Sequence, residues 1–192
     1  MARPVAGQEL RRDQILDVAL RIVEVEGLPK LTLRSVADEL GVTPTAIYHH
    51  VDSKQDLVDL LVARVTSSLP VLLGDPDARW EDTLRTFLRD SWKTMIRYPD
   101  LGALHLRRPG LDDGGNRAML QFFEESGFTP KQARLSLAFV QNYLYGRLNV
   151  QAHLRHESTD GATRPPRAID GYTAFGIDAA IAGLRAMVES ES

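Results

Sequence analysis

LTLRSVADELGVTPTAIYHHVDSKQDLVDLLVARV, residues 31–65, decides the reading of this chain. Thr32 is placed to cap a short helix that carries Val36, Ala37 and Leu40 inward, and Gly41 is placed to end it. Thr43 is placed to cap the next helix, with Pro44 at the first helical position, where a missing N–H costs nothing. That second helix is brief and is expected to end near His50. Asp52 or Ser53 then caps a fourth helix, with Leu57, Leu60, Leu61 and Val65 as its apolar side. Two short helices joined by a tight turn, the second of them polar, form the pattern of a helix-turn-helix.

In such a unit the first short helix is a brace. The second buries one face and offers the other to the major groove of DNA. Ile47 and Val51 are its apolar anchors, four residues apart. Thr45, Tyr48 and His49 fall at helical spacing on a different face, where hydroxyls and ring nitrogens reach phosphates or base edges. Lys54 opens the fourth helix, where a positive side chain and free backbone N–H groups together favour a phosphate. Arg34, early in the brace helix, suits a base edge or a phosphate, and Arg11 and Arg12 open the first helix near the DNA backbone. Singly, Arg34 and Lys54 read as solvated charges, Tyr48 as a packed aromatic and His49–His50 as polar surface. The expectation of DNA binding rests on their occurring together.

Outward from this stretch the chain reads as helix almost throughout, with no convincing run of alternating apolar and polar residues. A first helix is expected over residues 9–26, with Ile15, Ala19, Ile22 and Val23 inward and Gly27 as its stop. Residues 69–79 carry Pro70, Gly74 and Pro76 and read as a connector. Helices are expected over residues 80–97, 101–107, 116–126, 130–156 and 172–188, the fourth of these capped by Thr129. Residues 157–171 have the composition of a loop.

The 192 residues carry a net charge of −3 and no cysteine, which excludes disulfides, thiolate metal sites and cysteine nucleophiles. No apolar run approaches the roughly 20 residues that a membrane span needs. The first residues lack the apolar stretch of a signal peptide, so a cytoplasmic protein without membrane contact is expected. The charge gives DNA binding no help on average, so affinity must come from a few placed cations.

Residues 31–65 resemble the DNA-binding domain of the tetracycline-repressor (TetR) family, through LTLRSVADELGV followed by PTAIYHHVDSKQDLVDLL. The resemblance implies an all-α protein. A three-helix DNA-binding domain, residues 1–54, would precede a larger helical ligand-binding and dimerisation domain, residues 55–192, with a linking fourth helix over about 54–68. It implies DNA contacts at Arg34, Thr43, Pro44, Thr45, Tyr48, His49 and His50, and a backbone contact at Lys54. It also implies a homodimer on a palindromic double-stranded operator, acting as a repressor that a small-molecule effector releases. MIRYPDLGALHLRRPG, residues 95–110, and YTAFGIDAAIAGLRAMVE, residues 172–189, are similar to the tetracycline-repressor branch of that family. In the family the last two helices pair with their symmetry mates, and Ala174, Gly176, Ala180 and Gly183 suit close helix approach there or inside a monomer.

An effector pocket is expected within residues 80–156. Trp92, Met95, Leu104, Phe122, Phe123, Phe139 and Tyr143 would supply apolar walls, and His105 and Asn142 polar contacts. An aromatic at helical spacing also reads as core. In the tetracycline-repressor branch a histidine matching His105 helps hold the magnesium that accompanies the drug. Here ARVTSSLPVL lacks the drug-contacting histidine and YGRLNVQAH lacks the acidic residues near the metal. No metal and no cofactor are therefore expected, and an effector other than tetracycline. Two other classes compete. An enzyme would use His105, His153 or His156, but no HExxH, P-loop, nucleophile elbow or dinucleotide fingerprint is present. A helical scaffold that never touches DNA is kept open by the near-balanced charge of residues 1–54.

Overall fold

The computed structural model describes residues 10–72, 77–107, 114–157 and 170–189. The described elements are helical: α1 Arg12–Glu26, a 3₁₀ turn Leu28–Lys30, α2 Leu33–Leu40, α3 Pro44–Tyr48, α4 Lys54–Thr66, α5 Trp80–Met95, α6 Pro99–Arg107, α7 Gly114–Glu125, α8 Pro130–Glu157 and α9 Gly171–Glu189. Most of the loop expected over residues 157–171 lies outside the described residues. Among the described residues no helix is long and apolar enough to cross a membrane.

Two hydrophobic cores organise these helices. The first is built from α1 to α4. Ile15, Ala19, Ile22 and Val23 of α1 meet Val36, Ala37 and Leu40 of α2, Ile47 and Val51 around α3, and Leu57, Leu61 and Val65 of α4. Leu60, expected among the inward residues of α4, is only half-buried, and Val58 and Val62 are buried instead. The second core joins α5 to α9, with Trp92, Phe123 and Leu148 fully buried in it.

α6 belongs to both. Its Leu101 is buried in the first core and its Ala103 in the second. The helix begins at Pro99, two residues earlier than the apolar pattern marks, because proline suits a first helical position. α5 stops at Met95 and not at Arg97, with Ile96 as its C-cap.

Buried charge ties α5 to α9. The Glu81 carboxylate accepts from Arg79 at 2.9 Å and from Arg185 at 2.8 Å. Burial pushes that carboxyl up, but its own backbone amide and the two guanidinium groups together hold it below the usual glutamate range. α8 and α9 are joined by Tyr143, whose hydroxyl donates to the carbonyl of Thr173 at 3.1 Å. The tyrosine ring lies against Gly176, where an added Cβ would collide with it. Gly176 therefore serves close approach within one chain.

Gly176→Ala is expected to cost about 1–3 kcal/mol of stability by forcing Tyr143 aside. Urea denaturation measures it, and a change within about 0.5 kcal/mol would contradict the close packing of α8 on α9.

Candidate DNA-binding surface and ligand cavity

Local chemistry builds the turn between α2 and α3. The Thr32 hydroxyl accepts from the Ser35 N–H at 2.9 Å, and Ser35 returns the bond to the Thr32 N–H at 2.9 Å. Gly41 ends α2 at φ +68°, a left-handed conformation that suits glycine. Thr43 caps α3 through the Ala46 N–H at 3.4 Å, and Pro44 takes the first position. The expected Thr43 cap is present, but α3 ends at Tyr48 and not at His50. Ser53, of the two candidates, caps α4, accepting from the Asp56 N–H at 3.0 Å.

Burial divides α3 into two faces. Ile47 is fully buried and Val51 nearly so. Thr43, Pro44, Thr45 and His49 are exposed, Tyr48 is 57% exposed, and His50 is half-buried. A large aromatic ring left in solvent beside a buried core is informative, because such rings are usually covered. Arg34 on α2 and Lys54 on α4 are exposed as well. The guanidinium of Arg34 lies 3.9 Å from Asp38, an exposed pair worth little to stability. Arg11 and Arg12 are exposed at the start of α1.

A cavity of about 460 Å³ lies between α4, α5, α6, α7 and α8, within the range of ~300–1,000 Å³ common for small-molecule sites. Ala63, Thr66 and Ser67 reach it from the end of α4, and His105 and Leu106 from α6. Gln141 of α8 donates to Asn116 of α7 at 2.6 Å, and both line the cavity. Among the described residues no group of three or more His, Asp or Glu side chains could hold a metal ion.

Of the nine pocket residues expected from sequence, Met95 and His105 line this cavity. The other seven lie elsewhere. Trp92 is fully buried, with the Arg147 guanidinium 5.9 Å from its ring. Phe123 packs on Phe122 and Phe128, at 5.7 Å and 5.0 Å between rings, inside the second core. Leu104 packs on the first core and lines a groove with Leu28 and Lys54. Phe139 and Asn142 are exposed on the outer side of α8, and Tyr143 holds α9. Helical spacing marks an apolar face without saying whether a cavity, a core or open solvent lies against it. The sequence reading missed Ser91 and Gln141. Their signal was a polar residue within an inward apolar stripe, as in Leu84–Leu88–Ser91–Met95. His153 is exposed on α8 and does not line the cavity, and the side chain of His156 lies outside the described residues.

Residues 15–61 match the family of bacterial regulatory proteins, tetR family. That segment of the chain carries the family's domain. It is 29% identical over 158 residues to the HTH-type transcriptional repressor DrrR1 of Streptomyces coeruleorubidus, covering 79% of this chain and 58% of DrrR1. It is 28% identical over 168 residues to the tetracycline repressor protein class D of Escherichia coli, covering 84% of this chain and 73% of that protein. Both relatives are named as repressors and not as enzymes. A crystal structure of a TetR variant from Acinetobacter baumannii AYE in complex with minocycline superimposes with a TM-score of 0.71 at 26% identity, covering 93% of this chain and 98% of that one. TetR-family regulators bind operator DNA and small-molecule effectors and are dimers. The matched segment runs from α1 into α4 and contains the whole exposed surface from Arg34 to Lys54.

Burial predicts opposite costs for two neighbours in α3. Ile47→Ala should lose about 2–5 kcal/mol in chemical denaturation, whereas Tyr48→Ala should stay within about 0.5 kcal/mol of wild type. Equal losses would contradict the assignment of Tyr48 to a free surface.

Proposed function

We propose that this chain is a cytoplasmic transcription repressor that holds a palindromic operator as a homodimer and leaves it when a small molecule fills the cavity. The observation that carries the reading is the double duty of α4 and α6. α4 puts Leu57, Leu61 and Val65 into the first core, while Ala63 and Thr66 of the same helix and Ser67 at its end line the cavity. α6 puts Leu101 into the first core, while His105 and Leu106 line the cavity. A molecule that displaces these walls also displaces the support of α2 and α3.

In this reading Tyr48, His49 and Thr45 meet base edges, and Thr43, Pro44 and His50 flank them. Arg34 and Lys54 hold phosphates. Binding to a DNA fragment from the protein's own promoter is expected, and it should weaken steeply as salt rises. Tyr48→Ala or His49→Ala should cost specificity by roughly 1–3 kcal/mol, and Lys54→Ala should weaken binding to all duplexes evenly. Gel shift with promoter and scrambled duplexes checks this. Three variants that bind like wild type would contradict the groove assignment.

The outer faces of α8 and α9 support the homodimer. Tyr172, Phe175, Ala179, Ala182, Gly183 and Ala186 fall at helical spacing on the exposed side of α9. Leu135, Phe139, Val150 and Leu154 form an exposed apolar stripe on α8. Phe175 and Tyr172, 75% and 81% exposed, are too apolar and too clustered for an uncovered surface. A second copy bringing the same two helices would bury both stripes as a self-complementary patch. Light scattering should report a dimer at micromolar concentration, and Phe175→Glu should shift it toward monomer. A wild-type monomer would contradict this part of the reading.

A further inference from the structure

α5 buries Leu84, Leu88, Trp92 and Met95 in the second core. Ser91 sits on the same side, 2% exposed, and its Oγ has no hydrogen-bond partner among the described residues. Thr94 on the same helix shows the usual alternative, donating its hydroxyl to the carbonyl of Asp90 at 3.3 Å. A buried hydroxyl left without a partner costs free energy, so its place needs a reason. Ser91 lines the cavity.

The rest of the cavity defines what it would hold. Leu72, Phe87, Met95, Met119, Val140 and Leu144 make most of its wall apolar. No Asp, Glu, Lys or Arg is among the described lining residues. A charged molecule would lose its water there with no Asp, Glu, Lys or Arg among the described lining residues to pair with, which is costly. An apolar molecule would gain from burial, and one that also carries a hydrogen-bonding group would relieve the Ser91 hydroxyl.

We infer that the cavity takes an uncharged, mainly apolar molecule carrying a hydrogen-bond group for Ser91 Oγ, and that Ser91 selects for that group. The inference rests on the proposed role of the cavity as the effector site. Ser91 also matters as a small residue, and the test separates the hydroxyl from the size. Ser91→Ala keeps the space and removes the hydroxyl.

Fluorescence titration of the full chain with three probes of one ring system tests it: methylanthracene, anthracenemethanol and anthracenecarboxylate. Anthracenemethanol should bind wild type most tightly, and the carboxylate at least about tenfold more weakly. Ser91→Ala should reduce the preference for the alcohol over the hydrocarbon by roughly fivefold. The variant's melting temperature without probe should equal or exceed wild type, because an unpaired hydroxyl is removed. Equal binding of carboxylate and alcohol, an unchanged preference in Ser91→Ala, a lowered melting temperature in Ser91→Ala or no binding of any probe would each overturn the inference. Gel shift on the same preparations keeps the two readings apart. Duplex binding that persists while the probe results fail overturns the effector chemistry alone. Loss of duplex binding by wild type overturns the functional reading.

Discussion

The structure depends on one short helix being shared by two hydrophobic cores. Leu101 of α6 is fixed among α1 and α4, while Ala103, two residues on, is fixed among α5 to α9. Gly102 between them allows the approach. A Cβ there would stand 3.1 Å from Leu148 Cδ1 and 3.2 Å from Met95 Cβ, tighter than ordinary contact. Close-packed interiors do not yield gradually, so a helix held this way moves as a piece or not at all. That constraint gives the small N-terminal unit a position relative to the larger one.

Polar contacts across the same junction are weaker partners of this packing. The Arg97 guanidinium meets Glu24 of α1 at 3.2 Å, and the Leu28 N–H donates to Asp100 of α6 at 3.4 Å. Inside the N-terminal unit, Arg64 of α4 meets Asp13 and Asp17 of α1 at 3.2 Å and 2.6 Å. These groups are exposed or only partly buried, where an ion pair adds about 0–1 kcal/mol. They orient the elements, while the buried apolar residues hold them. An effector acts on such a system only through a difference in affinity between two arrangements, and packed helices with discrete seats provide such arrangements.

The sequence made the N-terminal unit legible because local chemistry dictates it. Thr32, Gly41, Thr43 and Pro44 each specify one backbone event, and the structure has all four. Ile47 and Val51 could be separated from Tyr48 and His49 because α3 has one inward face. The larger unit was legible as helices and less so as a site. α8 carries Val140, Leu144 and Leu148 inward and Leu135, Phe139, Val150 and Leu154 outward, so its apolar pattern does not say which side faces a ligand. Trp92 and Phe123 are large enough to suggest a binding wall, yet they fill the core. The cavity depends on how five helices meet, and no single helix encodes that. Ser91 was the local clue, a hydroxyl where the stripe calls for carbon.

The proposed function requires α6 to couple the exposed surface of α2 and α3 to the cavity. Coupling is reciprocal, so DNA must influence the cavity as much as an effector influences DNA binding. Amide hydrogen exchange of the full chain, with and without a duplex that the protein selects from genomic fragments, tests this without knowledge of the effector. Bound DNA should slow exchange in α2 and α3 and also in α6 and in the cavity walls of α7 and α8. Slowing confined to α2 and α3, with α6 to α8 unchanged, would contradict the account.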